Sequence, residues 1–228
     1  MNFKKITLAA VILSGVAGAH SAGATPTSNV FRVGVANVTV HSRSENLTSN
    51  GPAFLTPQPA GVTVDDATTL LLGYTRHLNA NWDVDLLLGV PPSHSINGTG
   101  TLAAFGEIAR IKQASPTVMI NYNFGAQTNA FRPYVGLGVN VTHFYNTSSS
   151  TTGNIASGGP TRIALTNSIG LAGQVGVVYR LNAMWSLNAS VVAAKVSTDL
   201  TSTTGNIQRR TTLDLGPVVY SLAVGYAF

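Results

Sequence analysis

Cysteine is absent from this 228-residue chain. Its absence excludes a disulfide scaffold, a zinc–thiolate site, an iron–sulfur cluster and a thiol nucleophile. Charge is also scarce. Asp, Glu, Lys and Arg together make up 9% of the residues, against about 25% in a typical soluble domain. Past the first two dozen residues, no segment stays apolar for the ~20 residues a membrane-crossing helix needs. What is present points elsewhere. Hydrophobic residues are 44% of the chain, enough to bury a core, so it is not disordered. Gly, Ser, Thr and Asn separate short apolar runs, a pattern that disfavours helices. Of the 13 basic residues, Lys4 and Lys5 lie in a leader, which leaves 11 against 8 acidic. That balance is too mild for nucleic acid, and none is expected as a partner.

The leader is legible from its order. Lys4 and Lys5 are followed by an apolar stretch, Ile6–Val16, interrupted only by Thr7, Ser14 and Gly15. Small residues then follow: Ala17-Gly18-Ala19 and Ser21-Ala22-Gly23-Ala24. A basic start, a short apolar run and an A-x-A-like exit define a secretory signal peptide. It is assigned to residues 1–24, with cleavage after Ala24 and with Ala19 and Ala22 as alternative sites. Residues 25–228 are then the exported protein.

The exported part alternates with a period of two. Trp82, Val84, Leu86, Leu88 and Val90 fall on one face, and Asp83, Asp85, Leu87 and Gly89 on the other. The end of the chain puts Val218, Tyr220, Leu222, Val224, Tyr226 and Phe228 opposite Val219, Ser221, Ala223, Gly225 and Ala227. Similar runs occupy 30–41, 68–76, 117–124, 132–144, 169–179 and 185–196, giving eight strands. The segments between them alternate in length: roughly 42–66 is long, 77–81 short, 91–114 long, 125–131 short, 145–165 long, 180–184 short and 197–212 long. Long loops at one end and tight turns at the other predict an all-β fold, an eight-stranded antiparallel up-and-down transmembrane β-barrel. The bulky face suits lipid, and the Gly-, Ala-, Ser- and Asn-rich face suits a narrow lumen. Trp82, Phe124, Phe131, Tyr179, Trp185, Tyr226 and Phe228 gather near the short turns, as an interfacial girdle would. Lys195 has lipid-face parity but lies near the far rim, where it can snorkel.

Certain segments resemble the OmpW family of small outer-membrane barrels. Gly106-Glu107-Ile108-Ala109-Arg110-Ile111 with Pro116-Thr117-Val118-Met119 resembles that family's exit into its fourth strand. Phe131-Arg132-Pro133-Tyr134-Val135-Gly136-Leu137-Gly138 resembles its fifth. Ala172-Gly173-Gln174-Val175-Gly176-Val177, with the turn to Trp185, resembles its sixth and seventh. The resemblance covers roughly residues 68–228. It implies residence in the outer membrane of a Gram-negative bacterium and a narrow, unusually apolar lumen. It also implies passage of small hydrophobic compounds, with lateral exit into the bilayer. The Ser-, Thr- and Gly-rich loops here do not carry over any loop-borne specificity.

Parity gives the lumen candidates. Leu71, Leu87, Met119, Val192 and Val219 can form an apolar constriction on a solute path. Eight strands also leave an interior that side chains alone can fill, so a conduit and a closed core both remain open. Arg32, Asp83, Asp85 and Arg132 share the inward face near the short-turn, periplasmic end and are read as an ion-pair cluster. A basic neighbour beside each carboxylate indicates pairing rather than acid–base work. Val224, Tyr226 and Phe228 form a terminal stripe expected to be read by the outer-membrane barrel assembly machinery. Arg209-Arg210 is a candidate contact to lipopolysaccharide phosphates.

Enzymatic alternatives rest on His41-Ser42 and Ser93-His94-Ser95, which have no acidic partner in evident reach. No His pair or acidic cluster has metal-ligand spacing. No catalytic site, metal or cofactor is therefore expected. The function expected is a narrow channel or receptor for small hydrophobic solutes, seated among outer-membrane lipids and lipopolysaccharide. The alternative is a structural or adhesive barrel with a closed lumen that uses its loops for surface contacts.

Overall fold

The computed structural model describes residues 29–228; the expected signal peptide, 1–24, lies outside them. Eight long strands form the barrel: β1 (Asn29–Val40), β2 (Ala67–His77), β3 (Trp82–Gly89), β4 (Thr117–Asn123), β5 (Phe131–Ser149), β6 (Ser168–Arg180), β7 (Trp185–Ala194) and β8 (Pro217–Ala227). Each pairs antiparallel with its sequence neighbours. β8 returns to β1 with Val30 opposite Ala227 and Val38 opposite Val219. Asn29 and Phe228 exchange backbone hydrogen bonds of 3.1 and 2.9 Å across this seam. Closure removes the sheet's open edges, so the ladders of the wall are paired within the protein along most of their length. Among the described residues no helix is long and apolar enough to cross a membrane; the crossing is made by strands.

The two faces follow the alternation. Leu137 and Leu171 are each 77% exposed on the outside, while Arg32, Met119 and Asp85 are buried inside. The interior tapers by pairing large residues with small ones. A Cβ at Gly176 would sit 2.5 Å from the Tyr134 ring. One at Gly73 would sit 2.9 Å from Arg32 Nε. These glycines make room for Tyr134 and Arg32, two of the large inward side chains of the short-turn half.

Two short turns repeat one device. In 78–82, the Asn79 side-chain oxygen accepts from the backbone N–H of Asn81 and Trp82, both at 2.9 Å. In 181–185, Asn182 accepts from Met184 and Trp185 in the same way, again at 2.9 Å. The similarity of Leu-Asn-Ala-Asn-Trp and Leu-Asn-Ala-Met-Trp is thus shared Asx-turn chemistry. Beside these turns the aromatic girdle is exposed and self-packed. Trp82 meets Tyr122 edge-on at 5.1 Å, and Trp185 meets Tyr226 at 5.0 Å.

The long connections differ from the loops expected of them. They hold strands including Ala60–Val64, Ser93–Gly100, Glu107–Ala114, Thr161–Leu165, Ser197–Thr204 and Ile207–Asp214, and one α-helix, Thr151–Ser157. That helix starts on Ser150, whose side chain accepts from the Gly153 N–H, and stops at Gly158 in the left-handed region, a conventional pair of caps. β5, 19 residues long, runs from the barrel into this outer storey. The storey is a cap with its own core, drawn from every long connection and including Leu47, Val62, Ile96, Ile111, Ile163 and Leu213. Its strands alternate a few apolar residues with Ser and Thr. Threonine favours strands, yet the same residues also mark loops, which is why composition alone concealed them.

Candidate functional site: a lumen in two chambers

The lumen is stratified. Its short-turn half is polar. Arg32 forms a buried ion pair with Asp85, and Thr75 Oγ1 donates to the same carboxylate at 3.0 Å. Of the four residues expected to cluster, these two are in direct contact. Asp83 instead accepts from Asn121 Nδ2 at 2.8 Å and from Asn123, with His77 Nδ1 3.7 Å away. Arg132 donates to the Ala80 carbonyl at 2.6 Å. Next to them Gln174 Nε2 donates to Tyr134 Oη at 2.9 Å, and Tyr134 lies 3.2 Å from Asn188 Oδ1. The Arg32–Asp85 pair and these hydrogen bonds let most of the belt's charged and polar side chains stay out of bulk water, with Arg132 held by a carbonyl rather than a carboxylate.

Below the belt, a chamber of about 310 Å³ reaches the short turns. His77 and Arg180 also line it. The alternation had not been extended to them, because each lies one residue past its expected strand. Both continue the inward parity of Thr75 and Val178.

Above the belt the lumen turns apolar. Leu71, Leu87, Met119, Val192, Ala36, Ala172 and Ala223 form one buried cluster, with Val219 packed against it. Four of the five expected path residues, Leu71, Leu87, Val192 and Val219, line a second chamber of about 100 Å³ beneath the cap. Met119 does not line it. It is fully buried in the same cluster, against Gly138, where a Cβ would come within 2.6 Å of its sulfur.

The wall is incomplete beside this upper chamber. The β3–β4 ladder ends at Leu87 opposite Thr117. Pairing between the continuing segments resumes only at Ser93 opposite Lys112. Between those points stand Pro91, Pro92 and Pro116, which have no N–H to donate. Pro92, Gly89, Gln113 and Ser115, at the interruption, also line the chamber.

Two cap residues need separate placement. Arg209 points inward rather than toward an outer surface. Its guanidinium donates to Thr56 Oγ1 at 2.9 Å and to the Leu55 and Ser157 carbonyls at 3.3 and 3.4 Å. Burial lowers its pKa from the ordinary guanidinium value. Arg210 is exposed and donates to Gln208 Oε1 at 2.9 Å. The ring of His94 is buried, with Nδ1 2.7 Å from the Asp65 carbonyl oxygen. It faces a backbone group there, and among the described residues no carboxylate pairs with it. Among the described residues no group of three His, Asp or Glu converges as metal ligands would.

A closed eight-stranded barrel with an apolar outer belt, an aromatic girdle and long connections at one end is an outer-membrane β-barrel. The chain belongs to the OmpW family, whose model matches residues 27–228. Outer membrane protein W of Vibrio cholerae is 36% identical over 200 residues, covering 87% of this chain and 88% of that protein. The crystal structure of OprG from Pseudomonas aeruginosa superposes with a TM-score of 0.81 at 31% identity, over 90% of this chain and 98% of that one. A more distant relative, the dibenzothiophene metabolism operon protein PahQ of Pseudomonas aeruginosa, is 25% identical over 87% of both chains. The protein is therefore placed in the outer membrane of a Gram-negative bacterium, with its outward face in lipid.

Proposed function

We propose that the barrel admits small hydrophobic solutes to its upper chamber and releases them sideways into the bilayer. The observation that carries this reading is the position of the apolar chamber. It lies directly above the polar belt and beside the ladder interruption at Pro91, Pro92 and Pro116. An apolar solute gains from leaving water for the chamber. Continuing downward would take it across the Arg32–Asp85 pair and the Tyr134–Gln174–Asn188 chain, where it would offer no hydrogen bond in exchange. The route of lowest cost is through the wall. The name of the PahQ relative supports the solute class, because dibenzothiophene is an apolar aromatic compound.

The test is Leu87→Asp. Leu87 is buried in the chamber wall. A carboxylate there makes the path polar and is expected to cut uptake of hydrophobic solutes by about tenfold, equivalent to ~1.4 kcal/mol of solute affinity. Cells lacking the gene and complemented with each variant would be compared for uptake, alongside thermal unfolding of the folded electrophoretic band. Unchanged uptake with a clearly lowered unfolding temperature would overturn the conduit and leave the closed structural barrel.

Assembly is a separate part of the proposal. Val224, Tyr226 and Phe228 present one lipid-facing stripe on the seam strand. If the assembly machinery reads that stripe, Phe228→Ala lowers the amount of heat-modifiable protein in the outer membrane. It should leave the unfolding temperature of the inserted fraction unchanged, because the side chain is 65% exposed. Normal insertion of Phe228→Ala would remove Phe228 from the signal.

A further inference from the structure

The lower chamber has no part in the route just proposed, yet it is built with more positive charge than it neutralises. Three guanidiniums line it, those of Arg32, Arg132 and Arg180, against the two carboxylates of Asp83 and Asp85. Only Arg32 is paired with a carboxylate. None of the three ion pairs among the described residues involves Arg132 or Arg180. Each donates to a backbone carbonyl, Arg132 to Ala80 and Arg180 to Gln127. Arg132 is 4% exposed, and its Nε has no hydrogen-bond partner among the described residues. A guanidinium carries five N–H donors in a rigid fork that matches a carboxylate, and one carbonyl leaves most of them unused. Two such groups facing one chamber repel each other unless an anion stands between them.

We infer that the lower chamber is a binding site for a small monocarboxylate, held between Arg132 and Arg180. The charge selects the class. With His77 neutral, the chamber carries one net positive charge, which a monoanion balances and a dianion overshoots against Asp83 and Asp85. Its volume, about 310 Å³, is at the low end for small-molecule sites and suits a short-chain acid. The surrounding wall offers Val30, Val178 and Met184 to an aliphatic tail and Asn182 and Gln127 to a polar substituent. The polar belt separates this site from the apolar chamber, so carboxylate binding does not depend on the solute path.

Butyrate is a suitable probe, butyramide its neutral isostere and inorganic phosphate the competing anion. Each would be titrated into the folded protein in lipid nanodiscs, with the backbone amides of Gln127 and of residues 182–186 followed by NMR. Butyrate is expected to give saturable shifts confined to these residues, and butyramide none. Arg132→Gln and Arg180→Gln should each weaken butyrate binding by about tenfold, the loss of one charge-assisted fork. Because Arg132 is buried and its variant can fail to fold, Arg180→Gln, at the half-buried rim, decides the matter alone in that case. The inference is overturned by equal shifts with butyramide, by tighter binding of phosphate, or by a folded Arg180→Gln variant that binds butyrate like the parent.

Discussion

Replacing Arg32 with leucine is expected to lower the unfolding free energy of the barrel by about 3–5 kcal/mol, the usual cost of stranding one member of a buried ion pair. Asp85 would keep the hydrogen bond from Thr75 but lose its counter-charge, and among the described residues no other cation pairs with it. The guanidinium also lies over Gly73, so its removal opens space as well as removing charge. The double variant Arg32→Leu/Asp85→Leu is expected to recover most of the loss, because two apolar residues at these sites leave no buried charge. Urea unfolding in lipid, read by the electrophoretic shift between folded and unfolded forms, would measure both. If Arg32→Leu unfolds within about 1 kcal/mol of the parent, the change is no larger than losing one ordinary hydrogen bond. The pair would then not hold the belt together.

A second large effect is expected on the opposite face. Leu137 is 77% exposed, opposite Ile120 on β4 and Gly173 on β6. It lies six positions along β5 from the girdle residue Phe131, well inside the apolar belt. Leu137→Arg should cost about 2–4 kcal/mol and reduce inserted protein, because the charge must be carried in hydrocarbon. Val135→Arg, nearer the girdle, should cost less, since the penalty falls toward the interface. A soluble barrel would respond in the opposite way, gaining solubility from either change. Equal costs at both depths would argue against the membrane-facing assignment of β5.

The strands and their faces were legible because one physical constraint acts along each of them. Side chains alternate between lipid and lumen, so Trp82 through Val90 could be sorted by parity alone. The same logic placed Leu71, Leu87, Val192 and Val219 together. Parity gives a face but not a partner. It put Arg132 beside Asp83 and Asp85, whereas the folded chain gives Asp83 to Asn121 and Asn123 and turns Arg132 to the Ala80 carbonyl. That choice depends on register and side-chain reach, which no single strand records. His77 and Arg180 escaped notice at strand ends, where alternation fades into turn residues. The cap was illegible for a different reason. Its core takes one to three apolar residues from each of several short, mostly polar segments, so no segment shows enough of the pattern by itself. Arg209 illustrates the result: an arginine in such a segment reads as surface, but it ties Leu55, Thr56 and Ser157 together inside.

The cap also orders events in time. Its thirteen core residues run from Leu47 in the first long connection to Leu215 just before the last strand. Contacts so distant in sequence form late and slowly. The part of the outer storey that joins the first and last connections, where Arg43–Ser44 and Thr48–Ser49 pair with Ile207–Asp214, cannot form until the seam between β1 and β8 has brought them side by side. Until then a growing barrel would hold up unburied Ile96, Ile111 and Leu213 at its outer rim. The finished cap is therefore a mark of a closed barrel, and the exposed apolar rim is the mark of an unclosed one, a difference that a protease or a conformation-specific antibody applied from outside the cell could read.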